Sequence, residues 1–330
     1  MSKHGSGRHR IIPLALVCLL SGGLTLPGAA HAEFPDRPIT LVVGFAPGGG
    51  TDLVARTIAR QLTKELNNLP VVVENKAGAG GTIAAGIVKR SAPDGYTLLV
   101  ADPSFAINTG LMPNVGYDIK KDFVAVTTIT RSPLVLSANK SVPVANMSQL
   151  VALAKTEPGA LSISTPGVGS MPHMSVELLK RQLGIDMLHV PFKGANPAMA
   201  GVIAGSVQLT MSSVSSSLGF IQQGQVRAIA TTGAERSERF RDLPTVSETV
   251  KGFNAYFWTA LMAPAGTPTP VIEKLSKLMG KAMADEGAKT AIYQAGDAFA
   301  YQSPARSSEF VLGEASRWSK LIADAQIKPE

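Results

Sequence analysis

Two glycine runs carry the residue types and spacing that could hold a ligand. Pro47-Gly48-Gly49-Gly50-Thr51-Asp52 follows an apolar run at 39–45, and Thr165-Pro166-Gly167-Val168-Gly169-Ser170 follows a second run at 161–164. Each stands where a strand should hand over to a helix. Glycine lets the backbone pass close to a ligand, and the first N–H groups of a helix have no intrahelical partner. With the positive end of the helix dipole, such a turn favours an anion. The bland alternative stays open: glycines serve any tight turn, and Thr51, Asp52, Thr165 or Ser170 could cap the helix ends themselves.

Four further residues fit such a site. His173 lies near the start of the helix after the second turn, where it could donate to a ligand or simply be a polar residue at a helix start. Asp102 and Ser104 follow a third apolar run. There Asp102 could read an ammonium or hydroxyl group, or just form the turn before Pro103. Lys193, in Phe192-Lys193-Gly194, would suit an anion, yet it reads equally as a solvated lysine. His189, inside Leu188-His189-Val190, reads as structural.

Other chemistries fail on detail. No Gly-x-x-x-x-Gly-Lys-[Ser/Thr] phosphate loop occurs, and Gly78-Ala79-Gly80 has Ile83 where a dinucleotide fingerprint needs its third glycine. No Gly-x-Ser-x-Gly elbow is present, and His173 and His189 are spaced unlike a metal pair. The expectation is a binding protein without catalysis, cofactor or metal. An exported hydrolase is the rival from another class.

The first 32 residues have the three parts of a secretory signal. Lys3, Arg8 and Arg10 precede an apolar stretch, and Ala30-His31-Ala32 offers the small residues a signal peptidase reads. The apolar stretch is shorter than the roughly 20 residues of a membrane span. Cys18 could be a lipidation site, although no small residue precedes it. Removing this leader lowers the net charge from +7 by the three basic residues to +4, takes away the only cysteine, and leaves His173 and His189 of five histidines. Disulfides, thiolate catalysis and cysteine metal sites are then excluded. A mild positive charge without basic runs argues against nucleic acid and suits a small anion. The expected compartment is the periplasm, the expected state a monomer.

The elements that must position these residues alternate. Strands are expected at 39–45, 71–74 and 96–101, with helices between them, the first running to about residue 66. After an irregular stretch near 108–122, the pattern predicts an extended segment at 127–137, helices at 148–156, 174–183, 197–204 and 218–223, and strands at 161–164, 188–191, 207–211 and 226–230. A long apolar run at 253–263 could cross between domains, and helices at 270–284 and 304–325 close the chain. Alternating strands and helices imply doubly wound parallel sheets. Ligands of open α/β sheets lie outside the carboxyl ends of strands, so two glycine turns on two units would face one cleft. The expected fold class is α/β, with two doubly wound lobes and a ligand cleft between them. Residues 33–131 plus 253–330 form one lobe and 132–252 the other.

A series of short motifs then resembles the Bug-type receptors of tripartite tricarboxylate transporters. These are Phe34-Pro35-Asp36-Arg37-Pro38-Ile39, the first glycine turn, Glu74-Asn75-Lys76-Ala77-Gly78-Ala79-Gly80-Gly81, and Pro93-Asp94-Gly95-Tyr96-Thr97-Leu98-Leu99. Val190-Pro191-Phe192-Lys193-Gly194, Leu243-Pro244-Thr245-Val246 and Ala263-Pro264-Ala265-Gly266-Thr267-Pro268 follow in the family's order, through to Trp318. The resemblance implies a periplasmic solute-binding protein, type II-like, whose two α/β lobes close on a carboxylate held by the two glycine loops, Gly48–Asp52 and Thr165–Ser170, with His173 behind the second. It implies docking on permease subunits of the membrane transporter, or on a sensor kinase. Ala198-Met199-Ala200-Gly201 and Ser212-Ser213 stand where the family commonly has acidic or amide residues, which implies a less acidic cleft.

Overall fold

The computed structural model describes residues 34–192 and 194–329. The proposed leader and Lys193 lie outside the described residues. Strands β1 (Ile39–Val43), β2 (Val71–Asn75) and β3 (Thr97–Ala101) alternate with helices α1 (Gly50–Glu65) and α2 (Thr82–Lys89). β1 is buried at four of its five positions, as a strand covered on both faces requires. Val54, Ala55, Ile58, Ala59 and Leu62 put one side of α1 onto this sheet, a 3.6-residue stripe. The order β2-β1-β3 is parallel throughout, as connections that cross over through α1 and α2 allow.

Two short helices, α3 (Pro103–Leu111) and α4 (Ile119–Asp122), lead into β4 (Phe123–Ala138), a strand of 16 residues. The second run comprises α5 (Met147–Thr156), β5 (Ser162–Thr165), α6 (Met171–Leu183), β6 (Leu188–Pro191), α7 (Ala195–Ile203), β7 (Leu209–Ser213), α8 (Val214–Gln222) and β8 (Arg227–Thr231). β9 (Tyr256–Pro264), α9 (Thr269–Ala284), α10 (Glu286–Gln294) and α11 (Pro304–Ala325) complete the chain. The strands join in one curled sheet, β2-β1-β3-β9-β4-β7-β5-β6, with β8 also on β4.

β4 links the two sheet halves. It pairs with β9 from Phe123 to Pro133, then with β7 from Leu134 and with β8 from Val135. The sheet is mixed rather than purely parallel, because β4 and β9 run against their neighbours. Long strands joining two halves return without a covering crossover helix, so nothing imposes a parallel direction on them. A helix, α3, fills part of the stretch expected to be irregular: Asp102 caps it and Pro103 opens it.

The closing helix α11 is pinned by a shared acceptor. The indole N–H groups of Trp258 on β9 and Trp318 on α11 both donate to Glu314 Oε2, at 3.2 and 3.0 Å. Both tryptophans are fully buried, so their N–H groups need this partner.

Candidate functional site

α1 starts at Gly50, with Gly49 as N-cap, and no side chain caps it. Asp52, which could have done so, turns back into its own loop. Its Oδ2 accepts the Gly48 N–H and Arg56 Nε–H, each at 2.9 Å, and its Oδ1 accepts from Asn75 Nδ2 at 2.9 Å. Asn75 Nδ2 also donates to the Phe45 carbonyl at 3.0 Å, so the loop is tied to the end of β2. Burial pushes the Asp52 carboxyl up, but the bonds from Arg56, Gly48 and Asn75 outweigh it and hold the group below the ordinary range. Gly48 has φ +85°, a left-handed conformation that lets its N–H reach this carboxylate. Pro47, Gly48 and Gly49 are exposed and Gly50 is half-buried, while Thr51 and Asp52 in the first turn of α1 are buried.

Thr51 and Asp102 are both buried, and Thr51 Oγ1 donates to Asp102 Oδ2 across 3.4 Å. Asp102 Oδ1 accepts the Ser104 N–H at 2.9 Å as the cap of α3, which leaves half-buried Ser104 beside it. Burial raises the Asp102 carboxyl to about 6, despite the hydrogen bonds from Ser104 and Thr51.

The second turn holds its own donors. Ser170 caps α6, accepting the His173 N–H at 3.3 Å, and its hydroxyl donates to the Gly167 carbonyl at 2.7 Å. The Gly169 N–H donates to His173 Nδ1 at 3.1 Å, which places the imidazole proton on Nε2. His173 stacks on His189 with ring centroids 4.2 Å apart, and His189 Nε2 shares a hydrogen bond of 2.7 Å with buried Thr165. Burial lowers His173 to about 3, helped by the neighbouring His189 and Lys180. Burial and Lys180 lower His189 to about 4. Both rings are neutral, and both stand behind the turn as its support. The adjoining α7 has Gly194 as its N-cap and no side-chain cap, and the Gly194 N–H donates to the Pro166 carbonyl at 3.0 Å. The open helix end on this side therefore belongs to α7, immediately after Lys193.

The sequence reading missed the amino end of α8. Ser213 caps it, and exposed Ser215 comes within 3.8 Å of where a Cβ on Gly50 would stand. Gly296, after α10, packs so closely that a Cβ on it would be 2.9 Å from the Ser215 nitrogen. The signal was the serine run 212–217, since serines before a helix are a cap pattern. Among the described residues no group of acidic, histidine or cysteine side chains could hold a metal ion.

Strand ends leading into open helix amides, on a mixed α/β sheet of this order, define a solute-binding receptor of the periplasmic-binding-protein class. The chain belongs to the tripartite tricarboxylate transporter family receptors, the Bug/TctC group: residues 54–327 match that family. It is 32% identical over 322 residues to the protein BugT of Bordetella pertussis, covering 97% of this chain and 98% of that one. A solved structure of R. palustris Rpa4515 with adipate superposes with a TM-score of 0.81 at 33% identity, covering 90% of this chain and all of that one. MatC from Rhodopseudomonas palustris with bound malate gives 0.77 at 34% identity, covering 88% of this chain and all of that one. The family is one of periplasmic solute-binding receptors, not of enzymes. Among the described residues no helix is long and apolar enough to cross a membrane.

Proposed function

We propose that this receptor captures a small organic anion, a mono- or dicarboxylate, at the open amino end of α1 and delivers it to the permease of a tripartite transporter. The observation that carries the reading is the uncapped start of α1, whose N-cap, Gly49, is exposed and brings no side chain to the first amides. Asp52 is held back by Gly48, Arg56 and Asn75, so its carboxylate does not cap the first amides of the helix. The second glycine turn, Thr165–Ser170, and the open end of α7 face the same ligand from the other lobe. The lobes are 33–131 plus 253–330 and 132–252, turning about the point where β4 leaves β9 for β7. Closure is needed because each lobe supplies only part of the donors. Export uses residues 1–32 as a signal peptide cleaved near Ala32.

Adipate and malate, carried by two relatives, are both dicarboxylates and are the first candidates here. The serines at 212 and 213 make the site less acidic, which suits a ligand without an ammonium group. Titration calorimetry of malate and adipate against their amides tests the reading. Binding of an acid, lost on amidation, supports it. Equal binding of acid and amide would contradict it.

A further inference from the structure

Asp102 is a buried carboxyl whose donors do not offset its burial. One oxygen accepts the Ser104 N–H at 2.9 Å and the other the Thr51 hydroxyl at 3.4 Å, longer than an ordinary O–H···O bond, with the Ser104 hydroxyl and the Phe105 N–H also turned to the carboxyl. A carboxylate 94% buried needs more than that to keep its charge. The groups around it do not supply it. The ends of β1 and of the turn before α2 bring Gly44, Phe45, Gly80 and Gly81, which line a cavity of about 10 Å³ with Asp102 and Phe105. The buried Tyr117 phenol is the titratable group from the segment before α4, but it donates to the Phe105 carbonyl at 2.7 Å. On α1, Asp52 and Arg56 are bonded to each other and to Asn75. The residue Asp102 does touch, Thr51, sits in the first turn of α1, whose amides the proposed reading assigns to the ligand.

A hydroxyl has one proton to donate. While Asp102 is charged, Thr51 O–H points to it and can only accept elsewhere. We propose that Asp102 is the positioning residue of the anion seat, setting the direction of the Thr51 hydroxyl and coupling capture of a carboxylate to uptake of one proton. As the anion arrives, a proton from the buffer adds to Asp102 Oδ2. Asp102 then donates to Thr51 Oγ1, and the Thr51 hydrogen turns to a ligand carboxylate oxygen. One O–H bond forms on Asp102, and the remaining changes are hydrogen bonds. The raised Asp102 carboxyl keeps this proton within reach near neutral pH. The inference rests on the carboxylate reading above.

The test is calorimetric titration with malate, fully ionised at pH 7, in two buffers of different protonation heat. The difference in observed heat counts protons. We expect uptake approaching one proton per malate, and affinity rising up to about tenfold per unit as pH falls from 8 towards 6. Asp102→Asn keeps the cap on α3 and offers an N–H to Thr51. It should bind with no proton uptake and a flat pH profile, near the wild-type affinity at acid pH. Thr51→Val should also lose the uptake, with weaker binding at every pH. A merely structural Asp102 would alter stability and leave the proton count unchanged. Malate binding by the wild-type receptor without uptake, and with a flat profile from pH 6 to 8, overturns the coupling alone. Failure of both malate and adipate to bind at any pH overturns the carboxylate reading and the coupling with it.

Discussion

The Asp52 carboxylate accepts the N–H of Gly48, four residues earlier, at 2.9 Å. An acidic residue in the first turn of a helix ordinarily serves that helix's amino end. Here the same side chain fastens the preceding loop instead, and α1 is left uncapped. The arrangement stabilises the loop and leaves the proposed anion seat without a side-chain cap.

Replacing Asp52 by alanine should therefore loosen the loop rather than remove a ligand contact. We expect a loss of about 0.5–1.5 kcal/mol in urea unfolding, because the bonds to Gly48, Arg56 and Asn75 go while exposed Gly48 can turn to water and Asn75 keeps the Phe45 carbonyl. The folded carboxyl titrates below its unfolded value. Its stabilisation is present above the unfolded value near 3.9 and lost as pH falls through the lower folded one. Equal stability of the alanine variant at pH 7 would show that the loop does not depend on this carboxylate.

The histidine pair makes a second pH prediction of opposite chemistry and equal direction. His173 titrates at about 3 and His189 at about 4 in the folded protein, against about 6.5 unfolded. Between those values the unfolded chain binds more protons, so stability falls on acidification from about pH 6.5 downwards. Each ring contributes a slope of at most about 1.4 kcal/mol per pH unit. Stability measured from pH 7 to pH 4 should show this, and His173→Gln should flatten it. A wild-type curve level from pH 6.5 to 4.5 would contradict neutral, buried rings.

Gly169 is constrained twice. Its φ is +73°, and a Cβ there would run into Leu111 Cδ2 on α3. Gly169→Ala should cost about 2–4 kcal/mol, from left-handed strain plus overpacking. Leu111→Ala in the same chain should recover part of that cost, a coupling read from the double-mutant cycle. Strict additivity of the two changes would show that the side chains do not meet. Gly169→Asp would disturb this packing first, so it is a poor probe of binding.

What the sequence disclosed follows the range of the interactions involved. The span of α11, 304–325, was legible to the residue, because Pro304 opens it and Val311, Trp318 and Leu321 mark its buried side. The strands leading to both glycine turns were legible from their apolar runs. The helix after Asp102 was not. Its cap-and-proline start was on view, but the segment reads as a turn until the sheet positions it. Short α10 carries too weak a stripe to separate from α9. The antiparallel course of β4 and β9 depends on pairing between residues more than a hundred positions apart. The site divides the same way. The two turns were visible as composition, whereas the return of Asp52 to Gly48, the cap of Ser170 on α6 and the approach of Ser215 to Gly50 exist only once the fold brings them together.

The measurement that bears most directly on the anion seat uses Gly49, the vacant cap of α1. Its φ of −78° suits any residue, and a Cβ would meet only the Ala46 carbonyl at an ordinary 3.7 Å. Gly49→Asp should place a carboxylate on the amides meant for the ligand. Capping and dipole effects should then raise stability by a few tenths to about 1 kcal/mol. Affinity for malate or adipate should fall at least about 100-fold, the loss of two charge-assisted hydrogen bonds of about 1.5 kcal/mol each. Gly49→Ala, of similar backbone cost but no charge, should keep most of the binding. Calorimetry on the three proteins decides the matter: loss of binding confined to the aspartate variant is the predicted result. A folded aspartate variant that binds as tightly as wild type would contradict the claim that the open end of α1 holds the anion.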